Sequence, residues 1–339
     1  MQKFLYKKEI PFLSVIRCFS TFQIVLFHLI CEVPFSNEYV LLWGREGVGL
    51  FFAISGAGLI NRYYHDWNYK KFFRKRFIGI YIPFWIAYFA VFVWKYFWNH
   101  FTWNNGVPFI NFILSVLGID GFVANFGVPT FYLIGEWYLG VLLFLYLLFP
   151  LWRKLFLKSP HVTVGVFLVL RILISIKNPF MHIPVCFNPI TALSNFSFGA
   201  YVIYLMSKNN KPEMQKYLFR SKTVFLCSLF LICIGSYLGH KYNYQDFGEI
   251  FATVGLLFFY IIITPKVNHV LGKCIGKVCF VSYEVFLIHH VIIYAMAPVI
   301  SANYSYVHLI LGGIIIVSTI FLLAALLKNV CLKLEQSVR

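Results

Sequence analysis

Acidic side chains are scarce in this sequence: 12 Asp and Glu stand among 339 residues, against 29 Lys and Arg. All charged residues together make up 12% of the chain, where a soluble domain carries about 25%. With 60% of the residues hydrophobic, that shortage excludes an ordinary water-soluble globule. The motifs of soluble catalysis are missing too. There is no Walker A loop, no GxGxxG after a strand, no GxSxG elbow, no HExxH and no CxxC, so the usual nucleotide, hydrolase and zincin chemistries have no signature here. The sequence has no two-fold internal repeat and no matched pair of broken helices, features many secondary transporters show. It also lacks any low-complexity tract.

What fills the chain instead is a series of apolar runs, each close to the 20 or so residues that cross a bilayer. They predict an all-α polytopic membrane protein with about ten transmembrane helices: residues 11–31, 44–60, 77–98, 131–151, 162–176, 190–206, 223–239, 248–264, 280–299 and 307–327. Residues 1–339 read as one membrane domain without a separate soluble domain, and 11–31 as a retained first helix with no signal-cleavage site. The formal charge of +17 gathers in alternate loops. By the positive-inside pattern, both termini and the basic loops are cytoplasmic. The excess charge is thereby assigned to topology and membrane lipid; no nucleic acid is expected. The reading is of a multi-pass protein of the cell (cytoplasmic) membrane, bacterial in character. The eight Cys fall mostly in or beside apolar segments and read as small hydrophobes. Within 99–130, the apolar stretch 108–119 is too short to span. It is expected to be re-entrant or interfacial, part of a lid over an outward-facing site.

Ionisable residues inside such segments are functional candidates by default. The first helix carries two, Arg17 and His28, eleven residues apart. Eleven steps of about 100° bring both to one stripe, about 16 Å apart along the axis. Arg17 could instead snorkel to the near interface, and His28 could be a hydrogen-bonded packing residue. Glu32 lies four residues after His28, where a carboxylate could orient the imidazole or merely sit past the helix end. Further candidates are Arg45, Glu46, Glu136, Arg171, Glu249, Glu284, His289 and His290. Arg171 is expected to snorkel. The small residues of the second helix (Gly44, Gly47, Gly49, Ser55, Gly56, Gly58) read first as close-packing surface. The His289-His290 pair has no third ligand at helical spacing, so no metal is expected.

These residues carry a resemblance. Arg17-CFSTFQIVLF-His28 resembles the Arg-x10-His motif in the first helix of the integral-membrane acyltransferases, acyltransferase family three. EGVGLFFAISGAGLI, KKFFRKRFIGIYIPFW, EWYLGVLLFLYLLFP and SYEVFLIHH are similar, in that order, to four further blocks of the family. The resemblance covers nearly the whole chain. It implies transfer of an acyl group, usually acetyl, from cytoplasmic acyl-coenzyme A (acetyl-CoA) to a hydroxyl of a surface or exported polysaccharide or lipid-linked glycan. Carried over, His28 is the catalytic base or transient acyl carrier, with Arg17 handling the anionic donor or holding the site's architecture; Glu32 joins them as a catalytic candidate on its spacing alone. Arg74 and Arg76 are implied to meet the phosphates of coenzyme A, and Lys75 is added on charge, since a polyanionic donor needs basic residues facing the cytoplasm. Ser55, Trp137 and His289 take substrate-binding or supporting positions, and Glu136, which precedes the Trp, is kept as a supporting candidate.

The chain departs from the family at two points: Gly79 stands where a second Arg often follows the basic run, and Leu142 where some branches carry a Glu. Elementary chemistry asks for the same parts. Acyl transfer to a hydroxyl needs a base that works near neutral pH. It also needs positive charge or hydrogen-bond donors for the oxyanion. The rival readings are a transporter or flippase of an envelope glycan, with the buried charges as its path, and a structural subunit of an envelope complex.

Overall fold

The computed structural model describes residues 10–32, 38–98, 106–131, 133–134, 137–176, 185–208, 221–241, 245–301 and 306–338. Among these there are helices and turns and no strand. Ten long helices coincide with the ten expected segments: α1 (Pro11–Cys31), α2 (Glu38–Tyr63), α3 (Tyr69–Trp98), α6 (Trp137–Lys158), α7 (Pro160–Ile176), α8 (Pro189–Lys208), α9 (Lys222–Lys241), α10 (Gln245–Ile263), α11 (His269–Ser301) and α12 (Tyr306–Val338). Two short ones, α4 (Phe112–Val116) and α5 (Asp120–Val123), lie between α3 and α6. Among the described residues, eight helices are long and apolar enough to cross a membrane. The two expected spans outside that set are α7, with 17 residues, and α2, diluted by its glycines and charges.

Helix boundaries shift where a charge-based reading cannot see them. The basic run Lys70–Arg76 is not loop but the first two turns of α3. Likewise 269–279 and the basic tail are helical extensions of α11 and α12. Lys and Arg are good helix formers, so a helix continues past the apolar span. The fourth expected helix begins at Trp137, not Phe131. Phe131, Leu133 and Ile134 are buried but not helical.

The chain divides into two compact units. The first comprises Met1–Phe27, Asn37–Trp67 and Leu147–Cys279. Its tightest seam joins α2 to α8. A Cβ on Gly56 would stand 1.9 Å from the carbonyl oxygen of Phe196, and one on Gly199 would stand 1.9 Å from that of Ala53. The two backbones thus touch through reciprocal glycines, which is how helices associate in lipid. The small residues of α2 are packing surface at Gly44, Gly47, Gly49 and Gly56. Gly58 has open space around it. Gly56→Val is therefore expected to cost at least the roughly 1–3 kcal/mol of an overpacked core. It should deplete the monodisperse peak in detergent size exclusion, while Gly58→Ala leaves that peak intact.

The second unit comprises His28–Ser36, Asn68–Tyr146 and Phe280–Arg339. Here the segment expected to be re-entrant forms two short helical pieces, Phe109–Val116 and Asp120–Phe126, bent by 117°. Gly118 makes the bend with φ +71°, a left-handed conformation that Gly adopts without Cβ penalty. The carbonyls freed at the break are met by α3: Tyr81 donates its hydroxyl to Leu117 O at 2.9 Å, and Trp85 donates Nε1–H to Val116 O at 2.8 Å. Backbone leaving helical geometry at membrane depth needs such partners. Phe109, Ile110 and Ile113 stay exposed on the outer face of the first piece, an apolar surface suited to lipid.

Candidate active site

The stripe on α1 survives as one unbroken helix. Arg17 is exposed on it and His28 is half-buried. What the periodicity could not supply is the partner of His28. Its Nδ1 lies 2.7 Å from Nε2 of His290 on α11, with the ring centroids 3.9 Å apart at 86°. At that distance one nitrogen donates and the other accepts. His289 closes the group. Its ring centroid lies 5.1 Å from that of His28 and 4.8 Å from that of His290.

His289 has a determined tautomer. Its Nδ1 meets the carbonyl oxygens of Phe286 at 2.8 Å and Val285 at 3.2 Å. Carbonyls only accept, so Nδ1 carries the hydrogen and Nε2 keeps the lone pair. One ligand nitrogen from each of the three histidines falls within 4.8 Å of the others. The third imidazole that the local spacing of His289-His290 does not provide comes from α1, at the far end of the chain. All three belong to the second unit.

Glu32 is half-buried in the turn just past α1; the side chain on His28 Nδ1 is an imidazole. Of the cationic run, Arg74 and Lys75 are exposed at the start of α3. Arg76 is half-buried, its guanidinium 5.4 Å from the Tyr146 ring centroid and 5.8 Å from that of Phe72. Two aromatic faces hold it by cation–π attraction. Ser55 is half-buried on α2, in the first unit. Trp137 is half-buried at the first position of α6. Glu136 lies outside the described residues.

Arg171 does not snorkel. It is 1% exposed and paired with Glu249 at 3.3 Å, the carboxylate 4% exposed. Asn195 bridges them: Arg171 Nη1 donates to its Oδ1 at 2.6 Å, and its Nδ2 donates to Glu249 Oε1 at 3.1 Å. Charge buried this deeply has to be paired, and the partners come from α8 and α10. Nearby Arg45 pairs with Asp246 at 3.1 Å. In the second unit Glu284 is wholly buried and takes Lys328 at 3.0 Å.

Sequence reasoning named Arg45, Arg171, Glu249 and Glu284 singly but missed Asn195, Asp246 and Lys328 as partners. It also missed Arg153, which donates from Nε to Tyr63 O and from Nη2 to Tyr64 O at 2.8 Å, holding the end of α2. Asn195 stands as a polar residue amid an apolar run; Asp246, Arg153 and Lys328 lie just outside the expected spans, where a charge reads as ordinary loop.

An apolar groove of about 490 Å³ opens between α3, α11 and α12, lined by Ala87, Val91, Trp94, Ile292, Ala295 and Leu323.

A multi-pass α-helical membrane protein with a histidine cluster between its first helix and a late one is the class that this fold and site define. The chain belongs to acyltransferase family three: the family model described as the acyltransferase domain matches residues 10–328. It is a membrane acyltransferase. No curated protein and no solved structure matches the chain.

Proposed function

We propose that this acyltransferase moves an acetyl group from cytoplasmic acetyl-CoA to a hydroxyl of a surface or exported polysaccharide, or of its lipid-linked precursor, in a bacterial cytoplasmic membrane. The observation that carries the reading is the 2.7 Å hydrogen bond between His28 Nδ1 and His290 Nε2. With the hydrogen on Nδ1 of His28, donated to His290, Nε2 of His28 holds the lone pair of a general base.

The steps balance on these groups. The acceptor O–H gives its proton to His28 Nε2 as the oxygen attacks the thioester carbonyl. The tetrahedral oxyanion collapses, the C–S bond breaks, and the thiolate leaves with the proton from the imidazolium. Ester and coenzyme A thiol are the products. Through the transition state His290 supports the imidazolium by accepting from Nδ1–H, the part an orienting carboxylate plays in other base pairs.

The polyanionic donor is read as engaging Arg74, Lys75 and Arg76 through its phosphates, with Arg17 further along the stripe of His28. Exposure of Arg17, Arg74 and Lys75 supports that reading. Glu32, four residues after His28, stays a catalytic candidate on its spacing, and Ser55, Trp137, Glu136 and His289 stay substrate-binding or supporting candidates. Ten spans with both termini inside belong to the same reading, supported by the loop charges.

The test compares acetyl content of the host's surface glycan for wild type, His28→Ala and Arg17→Ala at equal membrane levels. Loss in His28→Ala is expected. Unchanged acetylation in both variants would sink the enzyme reading, and a glycan-export defect with normal acetylation would favour transport.

A further inference from the structure

We infer that His28, His289 and His290 form a binding site for a divalent first-row cation, Zn²⁺ above all, and that metal binding and acyl transfer exclude each other at this site. The binding half stands on geometry alone. The exclusion half rests on the acyl-transfer reading.

Three imidazole nitrogens within 4.8 Å of one another match a recurrent zinc ligand set, three histidines with a fourth position left for water or ligand. Nitrogens about 2.0–2.1 Å from a tetrahedral Zn²⁺ stand about 3.3 Å apart. The 2.7 Å His28–His290 pair therefore opens by about 0.6 Å as the ion enters, within the reach of small χ rotations, while His289 closes in. The outer shell is already in place for one ligand. A metal-bound histidine characteristically donates its other ring N–H to a carboxylate or backbone carbonyl, and His289 does so to Phe286 and Val285. That locks its ring with Nε2 as the coordinating nitrogen. His289 is wholly buried, and His28 and His290 are half-buried, so an ion can arrive from the side of the latter two. Neutral nitrogen ligands of this kind suit Zn²⁺ and Cu²⁺ and not Mg²⁺ or Ca²⁺.

The exclusion follows from tautomers. As a base, His28 carries its hydrogen on Nδ1 and its lone pair on Nε2. As a ligand beside His290 it binds the metal through Nδ1, and the hydrogen must move to Nε2. The lone pair that would accept the hydroxyl proton is then gone. The hydrogen bond to His290 goes with it, since both facing nitrogens now point at the ion. Zn²⁺ is thus a reversible inhibitor that reads out on the base itself.

The experiment uses the full chain purified in detergent and loaded with ZnCl₂. After desalting, zinc is measured by elemental analysis and acetyl transfer by product formation, each with and without chelator. Wild type should retain one more Zn²⁺ per chain than His28→Ala, His289→Ala or His290→Ala. Co²⁺ loading should give the visible absorption of a tetrahedral ion in wild type alone. Loading should lower transfer at least tenfold, and chelator should restore it. Because one buried replacement can misfold, the variants on the half-buried histidines serve as the second measurement. Equal zinc in wild type and all three variants overturns the site, and full transfer with the site loaded overturns the exclusion. A chain that holds zinc but transfers no acetyl when metal-free overturns the enzymatic reading and leaves the site standing. A chain that transfers acetyl and holds no zinc does the reverse.

Discussion

His28→Ala is expected to lower acetyl transfer by the purified protein by about 10²- to 10⁴-fold, the range over which a positioned general base acts, while binding of acyl-CoA stays within a factor of about two. The separation of the two effects follows from where the groups sit. The donor's phosphates are read onto cationic side chains of α3, and His28 lies on α1 against α11. Removing the imidazole takes away a proton acceptor used in the transition state and nothing the ground-state donor needs, so kcat falls and KM for the donor does not. His290→Ala leaves the base in place but lets its ring turn and its tautomer drift. Its loss should be smaller, of the order of tenfold. The double variant settles the assignment. If His290 acts only through His28, then His28→Ala with His290→Ala is no slower than His28→Ala alone. Groups that work as a unit are non-additive in this way. Additive losses would mean that His290 meets the substrate on its own account, and an unaltered rate in His28→Ala would remove the base from this histidine altogether.

The first helix shows how far a sequence can be read and where it stops. The periodicity of 11–31 announced both the helix and the shared stripe of Arg17 and His28, because those depend on neighbours within three turns. It did not announce His290. That contact joins residues 262 positions apart, and nothing in the local spacing of HH tells which ring turns toward which helix. The family-like block pointed to His289. The structure adds His290 in direct contact and makes His289 the ring whose tautomer is fixed by its own helix. Arg171 illustrates the same limit from the other side. Taken alone, an arginine in an apolar helix reads as a snorkelling residue. Only the arrival of Asn195 and Glu249 from α8 and α10 makes burial cheaper than reaching for water. The glycines of α2 were legible because their meaning is generic: small residues let helices touch, whichever helix the partner is. Polar partners are specific, and specificity resides in tertiary structure.

That buried network gives the largest expected effect on stability. Arg171→Ala strands the Glu249 carboxylate, 4% exposed, in an apolar surround, and breaking a buried pair from one side costs about 3–5 kcal/mol. Since a domain is stable by only about 5–15 kcal/mol, detergent-solubilised Arg171→Ala should unfold at a visibly lower temperature or fail to accumulate. Glu249→Ala should be as damaging, because it leaves the guanidinium stranded instead. Replacing both by leucine removes the two charges together, and buried pairs exchanged for apolar groups are often neutral. Recovery in that double variant will be partial, because Asn195 hydrogen-bonds to both partners and is then left with neither. Extending the change to Asn195→Leu should restore most of the remaining loss. The triple variant also separates the enzyme from its rival. Arg171 and Glu249 lie in the first unit and the imidazoles in the second. If the network is structural, a folded triple variant acetylates at near wild-type rate. If the buried charges line a substrate or proton path, as a transporter would require, the same protein folds, stays stable and does nothing.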